Sequence, residues 1–291
     1  MWEWLEYAAA WVALKSLGLL PRRVARAVGA WLAALAYFFR PPLRRAAISN
    51  LRVAFPEWGD AQRLRTIRQL VKHLGWMAGE FSQFPRYTRD FENFAAAQRR
   101  GKGVLFLTGH MGAWELAPFA HALYGHPLHF LVRPIDNPRV DALVNRYRCL
   151  SGNRPIEKNN SARAVLKILG EASTVGILAD QNTSLEEGVF VDFFGVPAST
   201  TTGVARLALH TGAAVVPGYI FWDTAVGKYR LRFEPAIELA CTGDTAQDIR
   251  ENTARFTRVI EDYARRYPDQ WLWVHRRWKT RPLGEDPVRA L

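Results

Sequence analysis

Two apolar runs open the chain, Trp2 to Leu20 and Val24 to Phe39, divided by Pro21-Arg22-Arg23. Each predicts a helix, and neither predicts a clean membrane span. The first carries Glu3, Glu6 and Lys15. The second contains Arg26 and reaches only roughly 24 Å as helix, short of the roughly 30 Å hydrocarbon core of a bilayer. Trp2, Trp4, Trp11 and Trp31, together with Arg22, Arg23, Arg40, Arg44 and Arg45, suit a bilayer interface, where indole rings sit among headgroups and guanidinium groups meet phosphates. The expectation is a membrane-associating helical segment over residues 1–45 that lies on or dips into the lipid. A single true span and a buried hairpin are the alternatives. The acidic start and the lack of a small-residue cleavage site argue against a signal peptide.

The stretch from Asp60 to Phe84 has helical spacing. Leu64, Ile67, Leu70, Val71, Leu74 and Met77 mark an inner face, and Arg63, Arg65, Arg68 and Lys72 an outer one. Beyond Lys102 the pattern changes to short apolar runs alternating with helical periodicity. Strands are predicted at Val104–Thr108, Leu128–Val132, Val175–Ala179, Val189–Phe193, Ala214–Trp222 and Tyr229–Phe233. Helices are predicted at Trp114–His121, Pro138–Leu150, Ala162–Glu171, Gly203–Thr211 and about Thr245 to Tyr267. Continuously apolar strands alternating with helices predict an α/β fold with a mainly parallel central sheet flanked by helices. No repeat or long linker divides it, so residues 46–291 read as one catalytic domain.

Composition narrows the partners. The 291 residues are 49% hydrophobic, and 39 Lys plus Arg stand against 27 Asp plus Glu, a formal net charge of +12. Such an excess favours nucleic acid, anionic lipid or an acidic protein. The aromatic residues favour the N-terminus and no recognition motif accompanies the arginines, so nucleic acid is not the expected partner. Cys149 and Cys241 are too few for a disulfide framework, suit a reducing compartment and read as packing residues.

Candidate chemistry concentrates in Gly103-Val-Leu-Phe-Leu-Thr-Gly-His110-Met-Gly-Ala-Trp-Glu115. A buried strand passes through a glycine turn into a helix, and the carboxyl end of such a strand is the usual place for a site in an α/β protein. On one continuous helix His110 and Glu115 would point roughly 140° apart. With His110 in the turn before the helix, Glu115 can lean back toward the imidazole and leave its other nitrogen free to take a proton. The plainer alternative is a surface or core His–Glu pair. Arg133 also follows a predicted strand, where it would offer a cationic fork to a phosphate or oxyanion; a rim ion pair with Asp136 is the other reading. The chain has no Gly-x-Ser-x-Gly, no Walker A, no dinucleotide fingerprint and no His/Cys zinc pattern, and no metal or cofactor is expected.

The segment His110-Met-Gly-Ala-Trp-Glu115 resembles the His-x4-Asp/Glu signature of glycerolipid and lipid A acyltransferases. Leu131-Val-Arg133-Pro-Ile-Asp-Asn137-Pro, Leu178-Ala-Asp180-Gln181, Val189 to Pro197, Thr200-Thr-Thr-Gly203, Asn50 to Pro56 and Trp273 to Lys279 are similar, in order, to blocks of the lipid A lauroyl/myristoyl acyltransferases. The resemblance implies a glycerolipid-acyltransferase-like fold and an N-terminal attachment to the cytoplasmic face of a bacterial inner membrane. It implies O-acyl transfer without an acyl-enzyme, with His110 as general base and Glu115 as its support. Acyl-acyl carrier protein is the implied donor, with acyl-CoA as the alternative, and a lipid A precursor is the implied acceptor. Arg133, Asn137, Asp180 and Gln181 are the implied substrate-binding residues, with loop hydrogen bonding as the alternative for the last two. A phosphatidylinositol mannoside-type acyltransferase shares the same signature. A non-catalytic protein that binds membrane surfaces is the rival from another class.

Overall fold

The computed structural model describes residues 2–82, 102–123, 125–157 and 161–285. Its N-terminal part is helical: α1 (Trp2–Leu19), α2 (Arg22–Phe38), α3 (Pro41–Ala54) and α4 (Asp60–Phe81). Pro21 and Pro41 punctuate the starts of α2 and α3, where a missing N–H costs nothing. None of the described helices is long and apolar enough to cross a membrane. α3 had no periodic signal of its own and runs through position 45, the boundary expected from the sequence.

Helices α2 and α4 cross with their backbones in contact. A Cβ on Gly29 would fall 2.2 Å from the Gly75 carbonyl oxygen, and one on Gly79 would fall 2.8 Å from that of Ala25. The crossing is reinforced by the fully buried Glu80, whose two carboxylate oxygens share the single Arg22 Nε–H at 2.9 and 3.1 Å. Arg26 Nε approaches Glu80 at 3.7 Å, and its guanidinium lies over the Trp222 ring at 4.7 Å. The opposite faces remain uncovered: Trp2, Trp4, Leu5 and Trp11 of α1 and Trp31, Leu35 and Phe38 of α2 are exposed.

The inner face of α4 is the expected one at Ile67, Leu70, Val71, Leu74 and Met77 and departs from it in the first turn. Leu64 faces out, while Arg63 is buried and donates to the Phe55 and Pro56 carbonyls at 3.1 and 2.9 Å. Those carbonyls close the end of α3, where helical carbonyls lack backbone partners. Phe84, the expected end of this helix, lies outside the described residues.

The remaining elements run β1 (Val104–Thr108), α5 (Leu116–Leu123), β2 (His129–Val132), α6 (Pro138–Arg148), β3 (Arg154–Glu157), α7 (Ser161–Gly170), β4 (Thr174–Leu178), β5 (Gly188–Phe193), β6 (Val196–Thr201), α8 (Gly203–Thr211), β7 (Ala214–Asp223), β8 (Lys228–Phe233) and α9 (Thr245–Arg266). Six strands form one sheet in the order β3-β2-β4-β1-β7-β8; its pairs are parallel except β7–β8. This is the expected α/β architecture. Leu105 and Leu107 enter the larger core, covered by α3, α4, α7, α8 and α9, whereas Phe106 enters the opposite core beneath α5 and α6. That alternation is the period of two that a strand imposes.

Two strands escaped the sequence reading. β3, Arg-Pro-Ile-Glu, is an edge strand with a proline, the sheet position that tolerates one. β6 also carries a proline and pairs with β5 in a separate antiparallel hairpin. Its two-residue turn is Phe194-Gly195, both at positive φ (59° and 77°), the backbone that matches strand twist in tight hairpins. Cys241, expected to pack, is exposed.

Candidate active site

The central pair of strands builds the site. β1 and β4 run parallel with a constant offset, from Val104 opposite Thr174 to Thr108 opposite Leu178. Continued two residues past both carboxyl ends, that register sets His110 against Asp180. The Asp180 carboxylate accepts from the His110 backbone N–H at 2.8 Å through Oδ2 and meets the ring Nδ1 at 2.8 Å through Oδ1. Trp271 Nε1 donates to Oδ2 at 3.0 Å, so a buried carboxylate has three donors. Gly109 lets it come so close, because a Cβ there would sit 3.2 Å from the Asp180 carboxylate.

The strand end is held in place by the backbone of the C-terminal segment. Leu272 N–H donates to the His110 carbonyl at 3.0 Å, and Gly112 N–H to the Gln270 carbonyl at 2.8 Å. Gly112 has φ 57°, and a Cβ there would fall 2.0 Å from the Ile220 carbonyl oxygen. Only glycine fits that turn. Gln181 Nε2 lies 3.2 Å from His110 Nε2. An amide nitrogen donates and does not accept, so this contact assigns the proton to Nδ1, facing Asp180, and leaves Nε2 as an acceptor.

Burial works against a charged imidazole here. The Asp180 carboxylate overrides it by charge and hydrogen bond, the negative charge of Glu115 adds a smaller push the same way, and the pKa of His110 stands above its usual 6.5. Burial likewise pushes Asp180 up, but the charge and hydrogen bonds of His110 prevail and its pKa stands below 3.8. Arg277, almost fully buried, donates to the Ser199 carbonyl at 2.7 Å, to Thr200 Oγ1 at 2.5 Å and to the Gln181 carbonyl at 3.5 Å, tying β6 to the loop after β4. Burial lowers its pKa to about 10, which leaves it charged at neutral pH.

Glu115 does not hold the imidazole, contrary to the sequence expectation. Its carboxylate takes a bidentate pair from Arg148, Nη2 at 2.6 Å and Nε at 2.9 Å. Helix α5 begins one residue later, at Leu116, while Arg148 ends α6, and the planar guanidinium fork matches a carboxylate better than one imidazole nitrogen does. Glu115 and Arg148 form the polar lip of a small apolar cavity of about 50 Å³. Phe106, Leu128, Phe130 and Gly176 line its interior, and Trp114 joins it to the imidazole, the two rings meeting edge to face at 5.2 Å.

Of the expected substrate-binding residues, Asp180 and Gln181 are at the imidazole. Arg133 is 82% exposed and pairs with Asp136 at 3.6 Å, the rim ion pair. Asn137 caps α6, its Oδ1 accepting from the Arg139 and Val140 N–H groups at 3.0 and 3.4 Å. Its Nδ2 donates to the Glu3 carbonyl and to Glu6 Oε2, which docks α1 on α6. Its polar atoms are thus occupied by structure. Sequence reasoning missed Arg148 and Trp271. Arg148 stood out only by its place near the end of a predicted helix, and Trp271, two residues before the Trp273–Lys279 block, had no signal of its own. His121 is buried between Phe106 and Phe233, and burial takes its pKa down to about 3, which makes it a neutral core residue.

A family model described as bacterial lipid A biosynthesis acyltransferase matches residues 2–280. A lipid A biosynthesis palmitoleoyltransferase of Escherichia coli is 29% identical over 97% of this chain and 95% of its own. A lipid A biosynthesis lauroyltransferase of the same organism is 27% identical over 97% and 92%. A lipid A biosynthesis acyltransferase of Haemophilus influenzae is 26% identical over 84% and 78%.

Proposed function

Because the chain belongs to the bacterial lipid A biosynthesis acyltransferase family, and is therefore an acyltransferase, we propose that it transfers a fatty acyl chain from acyl-acyl carrier protein to a hydroxyl of a lipid A precursor, with His110 as general base. The observation that carries this reading is an imidazole with Nδ1 fixed by the buried Asp180 and Nε2 left as an acceptor, next to an apolar slot.

The acceptor hydroxyl takes the place of the Gln181 amide at Nε2. His110 removes its proton as the oxygen attacks the thioester carbonyl. Asp180 stabilises the imidazolium that forms. Arg148, held beside the slot by Glu115, offers positive charge to the tetrahedral oxyanion. The intermediate collapses, the C–S bond breaks, and the thiolate takes the proton from the imidazolium. No acyl-enzyme is needed, and the pair that does the work is His110 with Asp180, with Glu115 acting through Arg148. The net charge of +12 suits an acidic carrier protein as donor. The exposed tryptophans of α1 and α2 support attachment to the cytoplasmic face of the inner membrane.

The test is mass spectrometry of a lipid A precursor incubated in detergent with the protein and acyl-acyl carrier protein or acyl-CoA. One added acyl chain is expected from the wild type, with the carrier-protein thioester preferred. His110→Ala should transfer roughly 10²- to 10⁴-fold more slowly. An unmodified acceptor with both donors, or an acylated protein that accumulates as an intermediate, would refute the reading.

A further inference from the structure

A cavity bordered by α1 and α6 lies apart from the imidazole and has no part in the proposed reaction. It is a groove of about 520 Å³, within the range of small-molecule sites. Trp4 and Tyr7, edge to face at 6.0 Å, form the α1 wall, and Arg139, Ala142 and Arg146 form the α6 wall. The two arginines are two helical turns apart, roughly 10 Å along the axis. The Arg139 guanidinium is stacked on the Trp4 indole at 3.7 Å.

Charge complementarity chooses the occupant. No ion pair involves Arg139 or Arg146 among the described residues, and both are exposed. Glu3 supplies the carboxylate on the lining, while Glu6, hydrogen-bonded to the neutral Asn137 amide, lies off it. Along the lining, two guanidinium groups against one carboxylate leave a single positive charge, which one phosphodiester neutralises. Trp11, two helical turns along α1 from Trp4 and so on the same face, is 42% exposed and extends an apolar surface on which acyl chains can lie. An aromatic wall, a concave cationic wall and an adjoining uncovered apolar helix fit a lipid better than a carrier protein, which would meet a flatter basic surface.

We propose that this groove is a binding site for the headgroup of an anionic phospholipid, its phosphodiester between Arg139 and Arg146 and its glycerol against Trp4 and Tyr7. The site goes beyond the acyl-transfer reading and stands independently of it, since headgroup binding requires no turnover.

The experiment uses the full chain and flotation with vesicles of phosphatidylcholine alone or with about one-third phosphatidylglycerol. It compares Arg139→Gln/Arg146→Gln with a control of equal charge change, Arg250→Gln/Arg258→Gln, on exposed positions of α9. Each basic group near an anionic surface is worth about fivefold in partition. The groove variant should therefore lose roughly ten- to thirtyfold in affinity for the anionic vesicles. The control should lose under threefold, and transfer in detergent should be unchanged in both. Monomeric dihexanoyl-phosphatidylglycerol should bind the wild type saturably and the groove variant at least tenfold more weakly. Equal losses in the two double variants, or unaltered binding of the short-chain lipid, would overturn the site. So would a groove variant that loses affinity for acyl carrier protein while keeping its vesicle affinity, which would make the groove a protein dock. Absence of transfer by a wild type that still floats would defeat the reaction and leave the site standing.

Discussion

At the carboxyl ends of β1 and β4 the functional polar groups have assigned partners, whereas α1 and α2 leave Trp2, Trp11 and Trp31 exposed. The first region is over-determined. Asp180 is fixed by a backbone N–H, an indole N–H and an imidazole, and Gly109 and Gly112 leave no room for another arrangement. The second region is complete only on its inner side, where Gly29, Gly75 and Gly79 seat α2 on α4. A rigid reacting centre beside an unfinished apolar face is what an enzyme working on lipid requires: chemistry depends on preorganisation, while the greasy partner supplies the missing packing.

The sharpest way to break the contrast is Asp180→Asn, which keeps the shape and removes the charge. A loss of roughly 10²-fold in kcat/KM is expected. Wild-type His110 must be neutral to act as base and its pKa stands above 6.5, so activity should rise with pH through an apparent pKa above that value. In the Asn variant burial acts unopposed by Asp180, and the acid limb should move downward. The same pair contributes to folding. The share from His110 is complete below pH 6.5 and fades as pH rises through its raised pKa, and the share from Asp180 is complete above pH 3.8 and fades as pH falls through its lowered one. Thermal melts of the two proteins should therefore differ most between those limits.

Glu115→Gln weakens the bidentate pair with Arg148 without touching the imidazole. It should cost about tenfold, less than Asp180→Asn, and shift the acid limb only slightly. A larger loss than that of Asp180→Asn would return the role of His110 partner to Glu115. Turning to the other region, Gly75→Val sets a side chain against the Ala30 backbone at 2.4 Å and should destabilise the protein by about 1–3 kcal/mol, read by thermal melting. The smallest effect is expected from Trp11→Ala/Trp31→Ala. Vesicle affinity should fall a few-fold, with the melting temperature and turnover in detergent unchanged.

How much of this could be read in advance follows the same division. The apolar runs of β1, β4 and β7 and the alternation of strand and helix revealed the α/β fold, because continuous burial leaves a continuous signature. His110 was legible because it sits in a glycine turn after such a strand. Its partner was not. Asp180 is 70 positions away, and only the parallel register of β1 on β4 sets the two opposite each other. Glu115, near in sequence, was the natural choice until Arg148 arrived from the end of α6 to claim it. Arg133, directly after a predicted strand, looked a better candidate than Arg148, which lay within a predicted helix. Burial separates them, 14% exposed for Arg148 against 82% for Arg133, and burial of a single polar side chain has no sequence signal.

The bare crossing of α2 on α4 has a mechanical consequence. Helices that touch through their main chains have no layer of side chains to slide or repack, so α2 cannot ride up or down against α4. Whatever plane Trp31 rests upon, α4 stands at one distance from it, and the core that α4 shares with β1 carries that distance to the imidazole. A hydroxyl is reached or missed according to how far its own molecule holds it from that plane, which would make the enzyme a gauge of depth as well as a catalyst.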